Sequence, residues 1–137
     1  MIPAIAEAKS IKIWPDQLRP IHPNAGDYWL CIFHAGNGGF QAPLKLPVGA
    51  KITKATYYHT GTSSEASTFL NIYSIELGGI AQPVGSGSST DSTGYNIPVE
   101  IELFGETTIH AGRRYFISVY SANEDSYFLG LKINYEE

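Results

Sequence analysis

The stretch Tyr95-Asn96-Ile97-Pro98-Val99-Glu100-Ile101-Glu102-Leu103 determines the fold class. Apolar side chains occupy every second position, and polar residues or proline stand between them. Residues i and i+2 of a β-strand share one face, so the pattern predicts a strand with one buried and one solvated face. The same alternation occurs at 40–46 and at 127–135, where the residues predicted to be buried together are Tyr127, Leu129, Leu131, Ile133 and Tyr135.

Further β-rich runs lie at 52–60, 68–76 and 115–120, and glycine or proline turn signals separate them. The run 27–35 is apolar at both alternating sets of positions, which predicts one strand covered on both sides. No window of eleven residues has the helical period of 3.6. The chain is therefore predicted to be all-β, an antiparallel β-sandwich or jelly roll of about eight strands.

The length of 137 residues fits a single domain. Residues 27–137 are predicted to form the β-sandwich, and residues 1–26 a proline-rich extended arm of the same domain, with one short edge strand near 10–13. The arm could pack on its own sandwich or on a neighbouring chain. Residues 85–94 have no apolar side chain and are predicted to form a mobile surface loop. The arm residues predicted to contact a partner are Ile2, Ile5, Ile11, Ile13 and Trp14.

The segment Leu46-Pro47-Val48-Gly49-Ala50-Lys51-Ile52-Thr53 resembles a strand-opening motif, LPxGAxIT, of small bacterial β-sandwich domains with no assigned function. Those domains also tend to have an early Ile-Pro-Ala, here at 2–4, and an Ala-Pro shortly before the turn, here at 42–43. A looser parallel exists with jelly-roll modules of cell-surface proteins. The shared residues are turn and core positions, so the resemblance implies a fold and no chemistry.

Charged residues make up only 16% of the chain, compared with about 25% in typical domains. The net charge is −4 and the basic residues cluster only at Arg113-Arg114, so we expect no nucleic-acid partner. No run approaches the roughly 18 apolar residues of a membrane span, and the first nine residues lack the features of a signal peptide. The single cysteine, Cys31, is predicted to be a buried, inert thiol. An extracellular or surface-exposed location is favoured over a cytoplasmic one.

The sequence predicts no catalytic, metal or cofactor site, and we expect no enzyme. Glu100 and Glu102 stand two residues apart, near the separation of paired glycosidase carboxylates, but they alternate with core residues as a solvated face does. Asp91 and the segment 123–125 offer too few oxygen ligands to predict a calcium site. The four histidines show no metal-ligand spacing; they are His22, His34, His59 and His110.

Aromatic residues are the strongest functional signal. Tyr57 and Tyr58 are neighbours on one predicted strand and must point to opposite faces, and together with Trp29 they are candidate ligand-binding aromatics. The first hypothesis is a non-catalytic structural module that self-associates into a homo-oligomer or larger assembly. The alternative is a carbohydrate-binding module that stacks sugars on exposed rings. Low charge content favours a function that depends on contact.

Overall fold

The computed structural model describes residues 9–20, 27–29, 32–34, 39–89, 93–121 and 126–137. Within these ranges the chain forms twelve strands in two antiparallel sheets, A and B, and one 3-10 turn at Pro15–Gln17. The strands of sheet A are β1 (Lys9–Ile13), β3 (Asp27–Trp29), β4 (Ile32–His34), β6 (Lys51–Gly61), β9 (Gly94–Glu100) and β12 (Ser126–Glu136). Those of sheet B are β2 (Arg19–Pro20), β5 (Gly39–Leu44), β7 (Thr68–Glu76), β8 (Gln82–Ser89), β10 (Glu102–Leu103) and β11 (Arg113–Ser121).

The predicted all-β sandwich is confirmed. Sheet A runs in the order β3-β4-β12-β6-β9, with β1 also paired to β12, and sheet B in the order β10-β8-β7-β11-β5-β2. Alternate residues of both sheets fill the space between them, as the period of two requires. The largest fully buried side chains of this core are Tyr57, Phe40, Phe128, Leu18, Ile52, Leu70, Ile72, Ile117 and Ile133.

The stretch 95–103 belongs to both sheets. Its first part forms β9, which pairs with β6 in sheet A, and its end forms β10, which pairs with β8 in sheet B. The crossing lies at Ile101, which is buried and donates its backbone N–H to the carbonyl of Ala55. Tyr95 is 82% exposed, because the left-handed backbone of Asn96, with φ of +53°, interrupts the alternation. The predicted burial of Tyr95 is therefore wrong.

Strand β12 contains a β-bulge that reverses its alternation. Its pairing with β6 shifts register between Phe128 and Gly130, and Gly130 has a φ of +136°. One extra residue in a strand moves every later side chain to the other face. Phe128 is consequently fully buried together with Leu131, whereas Tyr127 and Leu129 are half-buried. The prediction that Tyr127 and Leu129 share the buried face is wrong.

Two other segments differ from prediction. The run 27–35 contains two strands, β3 and β4, which pair antiparallel with Tyr28 opposite Phe33. A run that is apolar throughout has no polar interruption to mark a turn, so the pattern could not reveal the hairpin. Residues 85–89, predicted to be a mobile loop, lie in β8 and pair with β7. Glycines are needed there: an added Cβ at Gly87 would lie 2.9 Å from Ile101 Cδ1, a side chain of the core.

Residues 9–20 pack on their own sandwich. Strand β1 coincides with the edge strand predicted near 10–13 and pairs with β12, with Lys9 opposite Tyr135. After the 3-10 turn, β2 pairs with β5 in the other sheet. Ile13 and Leu18 are buried in the core between the two sheets. This part of the arm therefore closes one side of the sandwich.

Candidate interaction surfaces

The outer face of sheet B displays two rows of aromatic rings. Strands β7 and β11 place Phe69 opposite Tyr120, and Tyr73 opposite Phe116. The rings of Tyr73 and Phe116 have centroids 5.4 Å apart with planes tilted by 30°. Phe69 and Tyr120 are 37% and 41% exposed, and the other two rings are half-buried. We call these four residues the aromatic face.

The four central strands of sheet B carry little charge on their outer side. The other described side chains that point outward from β5, β7, β8 and β11 are Gln41, Pro43, Asn71, Ile75, Pro83, Ser86, Ser88, Arg114 and Ser118. Arg114, near one end of β11, is the single charged residue among these described positions. At the two edges of the same sheet, Arg19 on β2 pairs with the outward Gln41, and Glu102 on β10 pairs with the outward Ser86. The outer face of sheet A is different, since its charged residues include Lys12, Lys54, Glu100, Lys132 and Glu136.

A groove of about 420 Å³ crosses the outer face of sheet A. We call it the sheet A groove, and the residues that shape it are Lys12, Trp14, Tyr58, Asn96, Gly130 and Lys132. Tyr58 is paired with Gly130 on the neighbouring strand, which has no side chain to fill the space beside the ring. Trp14 follows directly after β1 and is 55% exposed. Gly130 itself is buried, and the groove has an aromatic side chain on each side of it.

Trp14 is held in place by its backbone. Its carbonyl accepts a hydrogen bond from the N–H of Gln17 at 3.0 Å, and its N–H donates to Gln17 Oε1 at 2.7 Å. Asn96, on the opposite side of the groove, is exposed and donates its backbone N–H to Thr60 Oγ1 at 2.9 Å. Asparagine adopts the left-handed region more readily than other residues with a side chain, and this hydrogen bond helps to hold it there. Both ends of the groove therefore have a defined backbone.

The structure corrects the prediction for Tyr57. This side chain is fully buried, so it is not a surface aromatic. Its hydroxyl donates to the carbonyl of Thr68 at 3.0 Å and accepts from Thr68 Oγ1 at 3.1 Å. His59, also fully buried, has Nδ1 2.9 Å from the same Oγ1. Burial raises the pKa of Tyr57 to about 12, although the Thr68 hydrogen bond opposes the shift.

The predicted partner contacts of the arm divide into three groups. Ile13 is a core residue at 5% exposure, and Ile11 is partly buried against the same core, so their packing is within their own sandwich. Trp14 is exposed and joins Tyr58 at the sheet A groove. Ile2 and Ile5 lie outside the described residues. Trp29, predicted to be a ligand-binding aromatic rather than an arm contact, is described only as part of β3.

The remaining candidates do not converge. Glu100 and Glu102 are both exposed, and they pair in different sheets because the chain crosses at Ile101. His110 is exposed and His59 is buried. In the part of the chain that the structure describes, no group of three His, Cys, Asp or Glu side chains could hold a metal ion. Four predicted features lie outside that part: Cys31, His22, Asp91 and the segment 123–125.

Sequence reasoning missed the aromatic face, although a signal for it exists. In 68–76 and 113–121 both alternating sets of positions contain apolar or aromatic residues, so a strand there has no clearly polar face. A strand with two apolar faces is covered on both sides, or it leaves an apolar surface for contact. In the described sandwich one of those faces is the core and the other is the aromatic face.

Among the described residues, no helix is long and apolar enough to span a membrane. No protein-family model matches the chain, and no curated protein matches it. Among solved structures, a chain from a structure of infectious bursal disease virus, Gx strain, is similar with a TM-score of 0.45 and 14% identity. That match covers 99% of this chain and 36% of the other one, so this chain spans about a third of its length. At such values the likeness carries no argument about function.

Proposed function

We propose that the chain is a non-catalytic structural module that self-associates into a homo-oligomer or larger assembly through the outer face of sheet B. The observation that supports this proposal most directly is the aromatic face, which lies on strands β7 and β11 between a pair of less charged strands, β5 and β8. Partly exposed rings contribute apolar area at an interface, and the rim of Ser, Asn and Gln can exchange hydrogen bonds.

The face also has a suitable size. Four strands at a spacing of about 4.8 Å, and nine residues at a rise of about 3.3 Å, give a surface of roughly 19 by 30 Å. The projected area of such a surface is about 570 Å², just below the ~600 Å² per partner at the lower end of standard interfaces. A symmetric pair of these faces would therefore bury an area near the lower limit for a specific dimer.

The sheet edges formed by β2, β10 and β9 are less suited to association, whereas β1, also at an edge of sheet A, has five residues without proline. On sheet B, the outermost strands β2 and β10 contain two residues each, and β2 ends at Pro20. On sheet A, the outermost strand β9 contains Pro98 and the left-handed Asn96. Short strands, proline and irregular backbone all weaken the pairing of exposed edges. This contrast favours assembly through a face.

The test is the double substitution Phe69→Lys and Tyr120→Glu. The two introduced charges stand directly opposite each other on neighbouring strands, so they attract within one chain and should leave the monomer stable. In an interface they would have to lose their water, which is costly. We expect light scattering coupled to size exclusion to show an oligomer for the wild type and a tenfold or larger loss of association for the variant.

The matched control is Tyr95→Lys, which changes an aromatic residue of greater exposure on sheet A. This variant should associate as the wild type does. A wild-type chain that stays monomeric at high micromolar concentration would contradict the proposal. Equal loss of association in both variants would contradict the assignment to sheet B.

A further inference from the structure

We propose that the sheet A groove is a binding site for an acidic saccharide, independent of the association through sheet B. In this arrangement a sugar ring lies against Trp14 or Tyr58 above Gly130. Its carboxylate or sulfate group lies between the ammonium groups of Lys12 and Lys132. The two faces of the sandwich would then have separate tasks, one for assembly and one for ligand.

The first argument is the pairing of the two lysines. Lys12 and Lys132 are direct cross-strand partners on β1 and β12, and both point outward because their sequence neighbours face the core. Like charges directly opposite each other destabilise a sheet. Neither lysine forms an ion pair with any described residue, whereas Lys9 on the same strand is ion-paired with Glu137. A shared anion would turn this unfavourable pair into a favourable one.

The second argument is the sign of the charge in the groove. The residues that line it include two lysines and no aspartate or glutamate. Glu100 is on the same row of the sheet but is separated from Lys132 by Thr56, which pairs with both residues. Glu100 does not line the groove. Ammonium groups at an open site favour carboxylate, sulfate or phosphate groups. The groove is therefore complementary to an anion.

The third argument concerns the rest of the ligand. Cα atoms two strands apart are about 10 Å from each other, so the side chains of Trp14 and Tyr58 stand on opposite sides of Gly130 across β12. The two aromatic rings provide flat apolar surfaces, and the exposed amide of Asn96 can donate and accept hydrogen bonds. A pyranose ring has an apolar face and a rim of hydroxyl groups. This combination favours a saccharide over a simple inorganic anion.

The experiment is calorimetric titration of the full chain with four probes. They are a sulfated heparin hexasaccharide, a carboxylated oligogalacturonate, neutral maltohexaose and inorganic sulfate. We expect at least one acidic saccharide to bind at least tenfold more tightly than both maltohexaose and inorganic sulfate. The two acidic probes distinguish sulfate recognition from carboxylate recognition. No binding by either acidic saccharide, or equal binding by inorganic sulfate, would overturn the proposal.

The variants assign the site. Lys12→Met with Lys132→Met should weaken acidic saccharide binding at least tenfold, and Trp14→Ala should weaken it by a similar factor. The matched control, Lys45→Met with Lys54→Met, removes the same charge from two exposed lysines outside the groove. It should change the affinity less than twofold. Equal losses in the two double variants would indicate unspecific attraction and would contradict the groove.

A second readout needs no ligand. If Lys12 and Lys132 repel each other, Lys132→Met should raise the melting temperature of the unliganded chain by a degree or more. Lys54→Met removes a lysine that faces Asn134 and should leave the melting temperature nearly unchanged. A fall in melting temperature on Lys132→Met would contradict the argument that the unliganded pair is unfavourable.

Discussion

At the scale of single residues, Tyr57, Thr68 and His59 form a polar cluster inside an apolar core. Tyr57 and His59 belong to β6 in sheet A, whereas Thr68 begins β7 in sheet B, so their hydrogen bonds join the two sheets directly. A buried polar group without a partner costs about 1–3 kcal/mol. The cluster therefore favours one alignment of the sheets over others that would bury equal apolar area.

The pKa of Tyr57 gives this cluster a measurable pH dependence. The folded phenol has a pKa of about 12, above its ordinary value of 10, so between these pH values the unfolded state binds fewer protons than the folded state. Stability contributed by the protonated phenol is thus complete below pH 10 and falls as the pH rises towards 12. Two pKa units correspond to about 3 kcal/mol.

Tyr57→Phe tests this dependence. At pH 7 we expect a loss of about 1 kcal/mol in the free energy of unfolding, because the Thr68 carbonyl loses its donor. Above pH 10 the wild type should lose stability more steeply than the variant, so the difference between them shrinks or reverses by pH 12. Urea denaturation followed by circular dichroism measures both values. Parallel pH profiles would contradict the raised pKa.

At the scale of elements, β8 and the bulge in β12 differ from prediction because they depend on long-range contacts, whereas the β3–β4 hairpin was missed because its apolar run contains no turn signal. Local sequence pattern correctly located four strands: period two located β5, and β-rich runs between turn signals located β6, β7 and β11. It could not locate β8, where the contacting side chain, Ile101, comes from a distant segment and leaves room only for glycine at 87. The bulge in β12 was hidden for a similar reason, since Gly130 approaches the backbone of Ile13 on β1.

Strand β8 offers a test in which a second substitution should relieve the clash that the first one creates. Gly87→Ala would place a Cβ 2.9 Å from Ile101 Cδ1 and 3.3 Å from Tyr57 Cε1, so we expect a loss of about 1–3 kcal/mol. Ile101→Val removes that Cδ1 and by itself costs about 0.5–1.5 kcal/mol. The double variant should lose less than the sum of the two, as measured by urea denaturation.

The matched control for β8 is Ser88→Ala, on an exposed position of the same strand. It should change stability by less than about 0.5 kcal/mol. If the losses in free energy of unfolding for Gly87→Ala and Ile101→Val simply add, the new Cβ does not contact Ile101. That result would contradict the position of β8 relative to β9 and β10.

At the scale of the whole molecule, low charge content is distributed unevenly. The charged outward residues lie mainly on sheet A, and the aromatic face lies on sheet B. Low charge content alone predicted a function through contact. It could not predict which sheet face has the fewest charges, because that depends on which alternating set of residues in each strand faces the core. Of the candidate site residues, sequence found Trp14 and Tyr58, and missed Lys12, Lys132 and the aromatic face.

This uneven distribution predicts opposite salt effects at the two surfaces. Association through sheet B should strengthen slightly when sodium chloride rises from about 50 mM to about 500 mM, because salt screens the repulsion between copies of net charge −4. Binding of an acidic saccharide to the sheet A groove should weaken over the same range. Analytical ultracentrifugation and calorimetry measure the two effects. A clear weakening of association by salt would contradict an interface that is nearly uncharged.

The pairing of β1 with β12 has a consequence for how the chain folds as it is made. Lys9 and Glu137, which are ion-paired, stand 128 residues apart in the chain, and β12 lies between β6 and both β1 and β4 in sheet A. Sheet A therefore cannot close until its last strand has left the ribosome. Non-local pairing of this kind slows folding and leaves apolar strands exposed meanwhile. Nascent chains should thus expose the apolar strands of sheet A until β12 has been synthesised.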